Sequence, residues 1–317
     1  MKLPDKLKFE LSIQRELRYG ENPHQRAALY LDFDETPYIK LSGKDLSYNN
    51  LVDMEAAISA VLTLEDPGCV IVKHANPCGA GMHIDGPSPA FKLALECDPN
   101  SAYGGIIAFN GIIDLNDVLT IKRSRTFFEI VCAKAFTSEA LSELKKREKL
   151  RVVEYVDSFN DSNRLEMKYL MGTWLVQDRD AEDSIKPWVV ATKNNPSYDQ
   201  IMEMEFAWKM CKFVKSNAIT MACSKDGGIM LCGVGAGQMS RVDAVNLALT
   251  RSLQDPSRCV MASDGFFPFS DGPLIAMNAG IQGFIQPGGS IRDQDVIRAV
   301  DDNDCVMLMT GMRHFNH

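Results

Sequence analysis

The sequence predicts an α/β protein with helices layered on a sheet. Short β-branched runs alternate with amphipathic helical segments along most of the chain. Of 317 residues, 45% are hydrophobic and 24% charged, the balance of a soluble globular chain. No apolar run approaches the ~20 residues of a membrane-spanning helix. The length suffices for two cores of ordinary domain size.

In chain order, the pattern predicts a helix over 53–64, a β-branched strand at 70–72, strands at 105–109 and 130–132, and a charged helix, SEALSELKKREKL, over 138–150. A polar stretch over 157–168 follows, and a boundary is expected beyond it, dividing the chain into 1–185 and 186–317. The second part opens with a helix over 206–215 that carries Ala207, Met210, Cys211 and Val214 on one face. Strands are expected at 218–222, 229–232, 259–262 and 283–285, with a helix over 241–253. Ser290-Ile-Arg-Asp293 resembles a capping box with Asp in place of Glu, opening a helix through Val300. CVIVKHANPCGAG and GIMLCGVGAGQMS each read as a strand running into a Gly-rich turn, a faint hint of internal duplication.

The net charge of −8 argues against a broad nucleic-acid surface. It leaves room for a small anionic ligand held by a few local Arg and Lys. Nine cysteines without a CxxC read as reduced thiols, mostly buried as small apolar residues. The first twenty residues carry no apolar signal core, so a cytoplasmic location is expected.

Lys73-His74 ends a strand, where open α/β sheets bind ligands. A neutral His beside a cation has its pKa pushed down, which suits a general base. The dipeptide alone favours the plainer reading, a hydrogen-bonded surface pair. A deaminase-type zinc site would need H-x-E and P-C-x-x-C. Here the Glu and the second Cys are missing from HANPCGAG, so no metal is expected and Cys78 reads as a small packed residue. GVGAGQMSR, ending at Arg241, fails the G-x-G-x-x-G pattern, yet a helix start with an Arg suits a phosphate. SDGFFPFSDG, with Asp264 and Asp271 flanking its Phe residues, is either a hydrophobic plug or a slot for a flat aromatic ligand. RYGENPHQ and the terminal MRHFNH each hold Arg, an aromatic and His; the plain expectation for Arg313 and His317 is a frayed tail.

Together LRYGENPHQ, LSYNN, VKHANPCGAG, SAYGGIIAFN, FAWK, VKSNAI, GVGAGQMSRVDA, SDGFFPFSDG, PGGSIRD and TGMRHF, in this order from Leu17 onward, resemble one family. It is the 5-aminoimidazole-4-carboxamide ribonucleotide (AICAR) transformylase part of the bifunctional purine-biosynthesis proteins. The resemblance implies a pair of cytidine-deaminase-like three-layer α/β/α subdomains without catalytic zinc, and homodimers with active sites at the interface. It implies formyl transfer from 10-formyltetrahydrofolate to AICAR. By that resemblance His74 matches the base, Lys73 the group assisting proton delivery to the departing folate nitrogen, and Asn217 the amide that orients the carboxamide. Arg18, Tyr19, Gly104, Glu129, Arg241, Arg313 and His317 match AICAR contacts, with Arg18 and Arg241 expected at the phosphate. Phe266, Pro268 and Asp271 match the pterin pocket, where Gly265 and Ser270 depart from the family's usual Ala and Arg. Some relatives hold a monovalent cation near Asp264. The family's cyclohydrolase domain has no room before Arg18, so a stand-alone transformylase with a separate cyclohydrolase partner is expected. Formylation from formate and ATP is the first alternative, and this chain shows no G-x-x-x-x-G-K-[ST] motif for it. A non-catalytic AICAR-binding protein is the second.

Overall fold

The computed structural model describes residues 3–31, 36–65, 67–156, 165–181 and 187–317. Among them, one mixed sheet of twelve strands runs in the order Val189–Val190, Val306–Met309, Gly283–Gln286, Val260–Ser263, Ile219–Lys225, Gly228–Gly235, Asn76–His83, Gly68–Lys73, Gly105–Phe109, Phe128–Ala133, Arg151–Tyr155, Tyr38–Ser42. The central strands are apolar on both faces because both faces are covered. Val70 and Val72 enter one core while Cys69 and Ile71 enter the other, the period of two that a pleated strand imposes.

Helices Tyr48–Val61 and Tyr198–Cys211 cover one face and share a single core, which includes Ile58, Val72, Trp208 and Leu231. The other face carries two clusters. Pro87–Cys97, Leu115–Arg123 and Ser138–Lys145 build one; Arg241–Arg251, Asp271–Ala279 and Asp293–Asp301 build the other. The layered α/β architecture follows. No described helix is long and apolar enough to cross a membrane.

The element order repeats. Short extra turns aside, each half runs helix, antiparallel hairpin, helix, strand, helix, strand, helix, strand. Strand senses repeat too: the hairpin's first strand pairs antiparallel with the next strand, and two parallel pairings follow. A β-bulge fixes the alignment. Ile71 pairs with Gly79 and Val72 with Pro77, leaving Cys78 as the extra residue. Met221 pairs with Gly233 and Ala222 with Leu231, leaving Cys232. The hint of duplication therefore has a structural counterpart, but with a different partner. The match to VIVKHANPCGAG begins one strand earlier, at ITMACSK.

The Gly-rich segments are strands, not turns. Residues 76–83 form a full strand, and its glycines let a helix backbone press close. An ideal Cβ on Gly79 would lie 2.0 Å from the Ala94 carbonyl oxygen, and one on Gly81 2.5 Å from that of Ala90. Gly235 and Gly233 repeat this against Ala244 and Ala248, at 1.9 and 2.6 Å. Glycine in a strand interior marks such an approach.

Other expectations are corrected in detail. The first helix starts at Tyr48, because Ser47 and Asn50 form a capping box. Ser290 and Asp293 form no such box: Asp293 accepts the backbone N–H groups of Gly289 and Ser290, and the helix begins at Asp293 itself. The polar stretch after 157 ends in a hairpin, Leu165–Leu170 with Thr173–Asp178, while residues 157–164 lie outside the described residues. So do residues 182–186, where the boundary at 185/186 was expected. The cysteines are not all scattered: Cys223, Cys232 and Cys259 converge in one buried group.

The halves meet at Gly228–Gly235 and Asn76–His83. These strands pair antiparallel over three residue pairs, Gly228 with His83 through Met230 with Gly81. Toward Asn76 a cavity of about 280 Å³ lies between the halves, lined by His74, Asn76, Pro77, Gly233 and Val234. Lys225 with Glu96 adds an ion pair across the seam.

Candidate active site

Lys73 and His74 sit at the tip of the hairpin Gly68–Lys73/Asn76–His83, joined by a two-residue turn. His74 and Ala75 have φ of 53° and 55°, the left-handed pair that a type I′ turn requires. The corresponding turn of the second half uses Asp226-Gly227, a favoured pair for this geometry. A β-carbon in this region costs about 1–2 kcal/mol per residue. Two bonds hold the strained turn: Ala75 N–H donates to Asp53 Oδ1 at 2.7 Å, and Asn76 Nδ2 donates to the His74 carbonyl at 2.9 Å. The turn is made by His74 and Ala75 and not by the Gly-rich run that follows, which fixes the imidazole on a rigid corner.

The Lys73 ammonium donates to the Tyr103 carbonyl at 3.0 Å. Gly104 follows with φ +73°, and a Cβ there would lie 2.9 Å from Lys73 Nζ. Gly104 therefore supplies both the left-handed backbone and the space for the ammonium. Gly104→Ala is expected to cost about 1 kcal/mol or more in stability and to displace Lys73. A lowered kcat/KM together with a lower unfolding midpoint checks this; wild-type kinetics would refute it.

Arg18, Tyr19, Lys73, His74, Gly104 and Glu129 converge on one cavity of about 760 Å³. Its wall also carries Arg15, Lys44, Lys149 and Arg151, so six Arg and Lys face the four carboxylates of Glu16, Asp45, Asp53 and Glu129, a net positive lining that suits an anionic ligand. Glu129 is held by Asn50 Nδ2 at 2.9 Å, with Arg151 Nη1 at 3.6 Å. Sequence reasoning gave no role to Asp53, Asn50, Arg15 or Arg151. The Ser47-x-x-Asn50 spacing was the readable signal for Asn50.

Asn217, Arg241, Phe266, Pro268 and Asp271 line a second cavity, of about 450 Å³. The SDGFFPFSDG stretch divides its aromatics between core and surface. Phe267 is the plug, buried edge-on against Phe284, while Phe266 and Phe269 remain exposed at the cavity. Arg241 was expected at a phosphate, but its guanidinium is engaged within the protein. Nη1 donates to Ser263 Oγ at 2.7 Å and to Asp264 at 2.5 Å, and Nη2 donates to Asn217 Oδ1 at 2.8 Å. Asp264 is fully buried, also accepts from Ser216 Oγ, and offsets the guanidinium charge. Asn217 Nδ2 donates to the carbonyls of Gln238 and Met239. Arg241 thus aligns Asn217.

Asn76 ties the two regions together: its Oδ1 accepts from Lys215 N–H at 3.0 Å, two residues before Asn217. Arg313 and His317 are not among the lining residues of either cavity, yet the tail is not frayed. Ser216 N–H and Asn316 C=O bond at 3.0 Å, and Lys215 Nζ donates to Asn316 Oδ1 and the His317 carbonyl. His314 is buried against Trp208 and bonded to Asp180. Burial, then the Lys168 charge, lowers the Lys215 pKa. Burial above all pushes the Cys78 thiol up to about 12, consistent with a packed bystander.

Residues 1–251 match the family described as the AICARFT/IMPCHase bienzyme. The chain is also similar to the "Bifunctional purine biosynthesis protein PurH" of Prochlorococcus marinus (strain MIT 9312), with 45% identity over 315 residues. That alignment covers 95% of this chain, which spans 60% of the relative's length.

Proposed function

As a member of the AICARFT/IMPCHase bienzyme family, this chain is, we propose, an AICAR formyltransferase that takes its formyl group from 10-formyltetrahydrofolate. The observation that carries the reading is the strained His74-Ala75 turn, which holds an imidazole beside Lys73 in a large basic cavity. Strain kept against its energetic preference points to function.

The AICAR 5-amino lone pair is delocalised into the imidazole carboxamide, so it needs a base as it attacks. In the proposed step the amine nitrogen bonds to the formyl carbon and His74 takes the amine proton. The bond from the formyl carbon to the folate nitrogen breaks, and Lys73 assists proton delivery to that nitrogen. Asn217, aligned by Arg241, orients the carboxamide. The basic residues around Arg18 suit the ribonucleotide phosphate, and Phe266, Pro268 and Asp271 suit the pterin. The step is acid–base chemistry and uses no metal. Ring closure of the product is assigned to none of these residues.

We further propose that each half is a cytidine-deaminase-like unit, supported by the repeated element order, and that two chains assemble with the site at their interface. Supporting assembly, the hairpin Leu165–Leu170/Thr173–Asp178 leaves Tyr169 and Trp174 more than half exposed. So does the split between the two cavities, since a second copy can bring the folate half of one chain to the AICAR half of the other. A steady-state assay with the donor varied tests the chemistry. Turnover is expected with 10-formyltetrahydrofolate alone; turnover only with formate plus ATP would overturn the donor assignment, and none with either would leave a binding protein.

A further inference from the structure

We propose that Cys223, Cys232 and Cys259 form a three-thiolate site for one soft metal ion, zinc(II) or copper(I), separate from the formyl-transfer site. The three Sγ atoms lie within 4.8 Å of one another, and Cys232 and Cys259 approach to 3.4 Å. Metal–sulfur bonds of about 2.3 Å at tetrahedral or trigonal angles set sulfur–sulfur separations of about 3.8–4.0 Å. The cluster needs only small side-chain shifts to reach that spacing, and thiolate ligands select such ions over hard cations.

The fold builds this group. Cys223 lies on Ile219–Lys225, Cys232 is the bulge residue of the neighbouring strand, and Cys259 immediately precedes Val260 on the other neighbour. Val260 pairs with Ala222, so Cys259 stands opposite Cys223. All three side chains join the same cluster beneath Arg241–Arg251. The two bulges align Cys223 with Lys73 and Cys232 with Cys78, and the Val72–Ile106 pairing aligns Cys259 with Gly105. Where the second half holds three thiols, the first therefore holds Lys73, Cys78 and Gly105. Along the strand from Ile219, Cys223 is about 13 Å away, so the cluster is distinct from the Asn217 cavity.

A disulfide is not the natural reading of the closest pair. Cys232 and Cys259 sit on strands separated by a third, and two strand spacings of about 9.6 Å exceed the ~7 Å Cα limit for a disulfide. Binding an ion displaces the thiol protons to solvent and leaves three metal–sulfur bonds; no electron is transferred.

The full chain, reduced and stripped of metal, is titrated with Co²⁺ as a zinc probe and with Cu⁺ against a chromophoric chelator. We expect one equivalent of at least one ion, with a near-ultraviolet thiolate charge-transfer band for cobalt. Cys232→Ala and Cys259→Ala should lose this binding, and Cys305→Ala should keep it. X-ray absorption of the wild-type complex should show three sulfur neighbours near ~2.3 Å, a readout that requires no variant to fold. No stoichiometric binding of either ion, binding that survives in folded Cys232→Ala, or a metal shell of oxygen and nitrogen alone would overturn the proposal. So would oxidation to a Cys223–Cys259 disulfide that bound metal does not prevent.

Discussion

Replacing His74 with Ala is expected to lower kcat about 10²–10⁴-fold, the range of a lost general base. That corresponds to about 3–5 kcal/mol of barrier at about 1.4 kcal/mol per tenfold. AICAR affinity, measured by calorimetry, should change little, because the basic wall around Arg18 and Arg151 is untouched. His74→Asn is the sharper variant. Asn tolerates the left-handed backbone better than other residues with a β-carbon, so the turn keeps its shape while the imidazole is gone. Turnover above a tenth of wild type in folded His74→Asn would sink the base assignment.

Gly79→Ala and Gly235→Ala should be among the most damaging single-methyl changes to stability. Each would drive a Cβ to within 2.0 and 1.9 Å of a helix carbonyl oxygen, and the obstacle is backbone that no side-chain rotation can clear. Overpacking of this kind costs about 1–3 kcal/mol and occasionally more, and both positions belong at the upper end. Gly289→Ala is the control. Its φ of +97° carries backbone strain, but nothing lies within 4 Å of the new methyl. Urea midpoints at unchanged slope report the difference. If Gly79→Ala unfolds no earlier than Gly289→Ala, the close helix–strand contact is not what requires the glycine.

These glycines also show where sequence reading stops. A strand such as 105–109 is continuous β-branched and aromatic sequence between turn signals, and its expected bounds match those observed. NPCGAGMH has the composition of a turn. It becomes a strand only because Ala90 and Ala94 of a helix press on it, a tertiary fact that local propensity does not carry. The two cavities divide in the same way. Lys73, His74, Gly104 and Arg18 lie in short motifs whose residue types announce chemistry. Asp53 and Asn50 act through bonds to residues 22 and 79 positions away, and only the folded chain brings them together. Arg241 was legible as a charge at a helix start, but the buried Asp264 that occupies its guanidinium was not legible as its partner. The cysteines were readable as reduced, yet their convergence depends on a β-bulge and on strand order.

A polypeptide carrying only the first half would leave Asn76–His83 as an open sheet edge, a template for pairing with another chain. Equivalent strands of the two halves meet antiparallel here, the relation that a two-fold axis imposes on identical partners. The seam has the form of a former contact between two molecules. Linking them in one gene makes the encounter intramolecular, with an effective concentration on the order of millimolar. Once joined, neither copy must serve both sides of the axis. One hairpin carries Lys73 and His74, and the aligned strand of the other carries Cys223 in the place of that lysine.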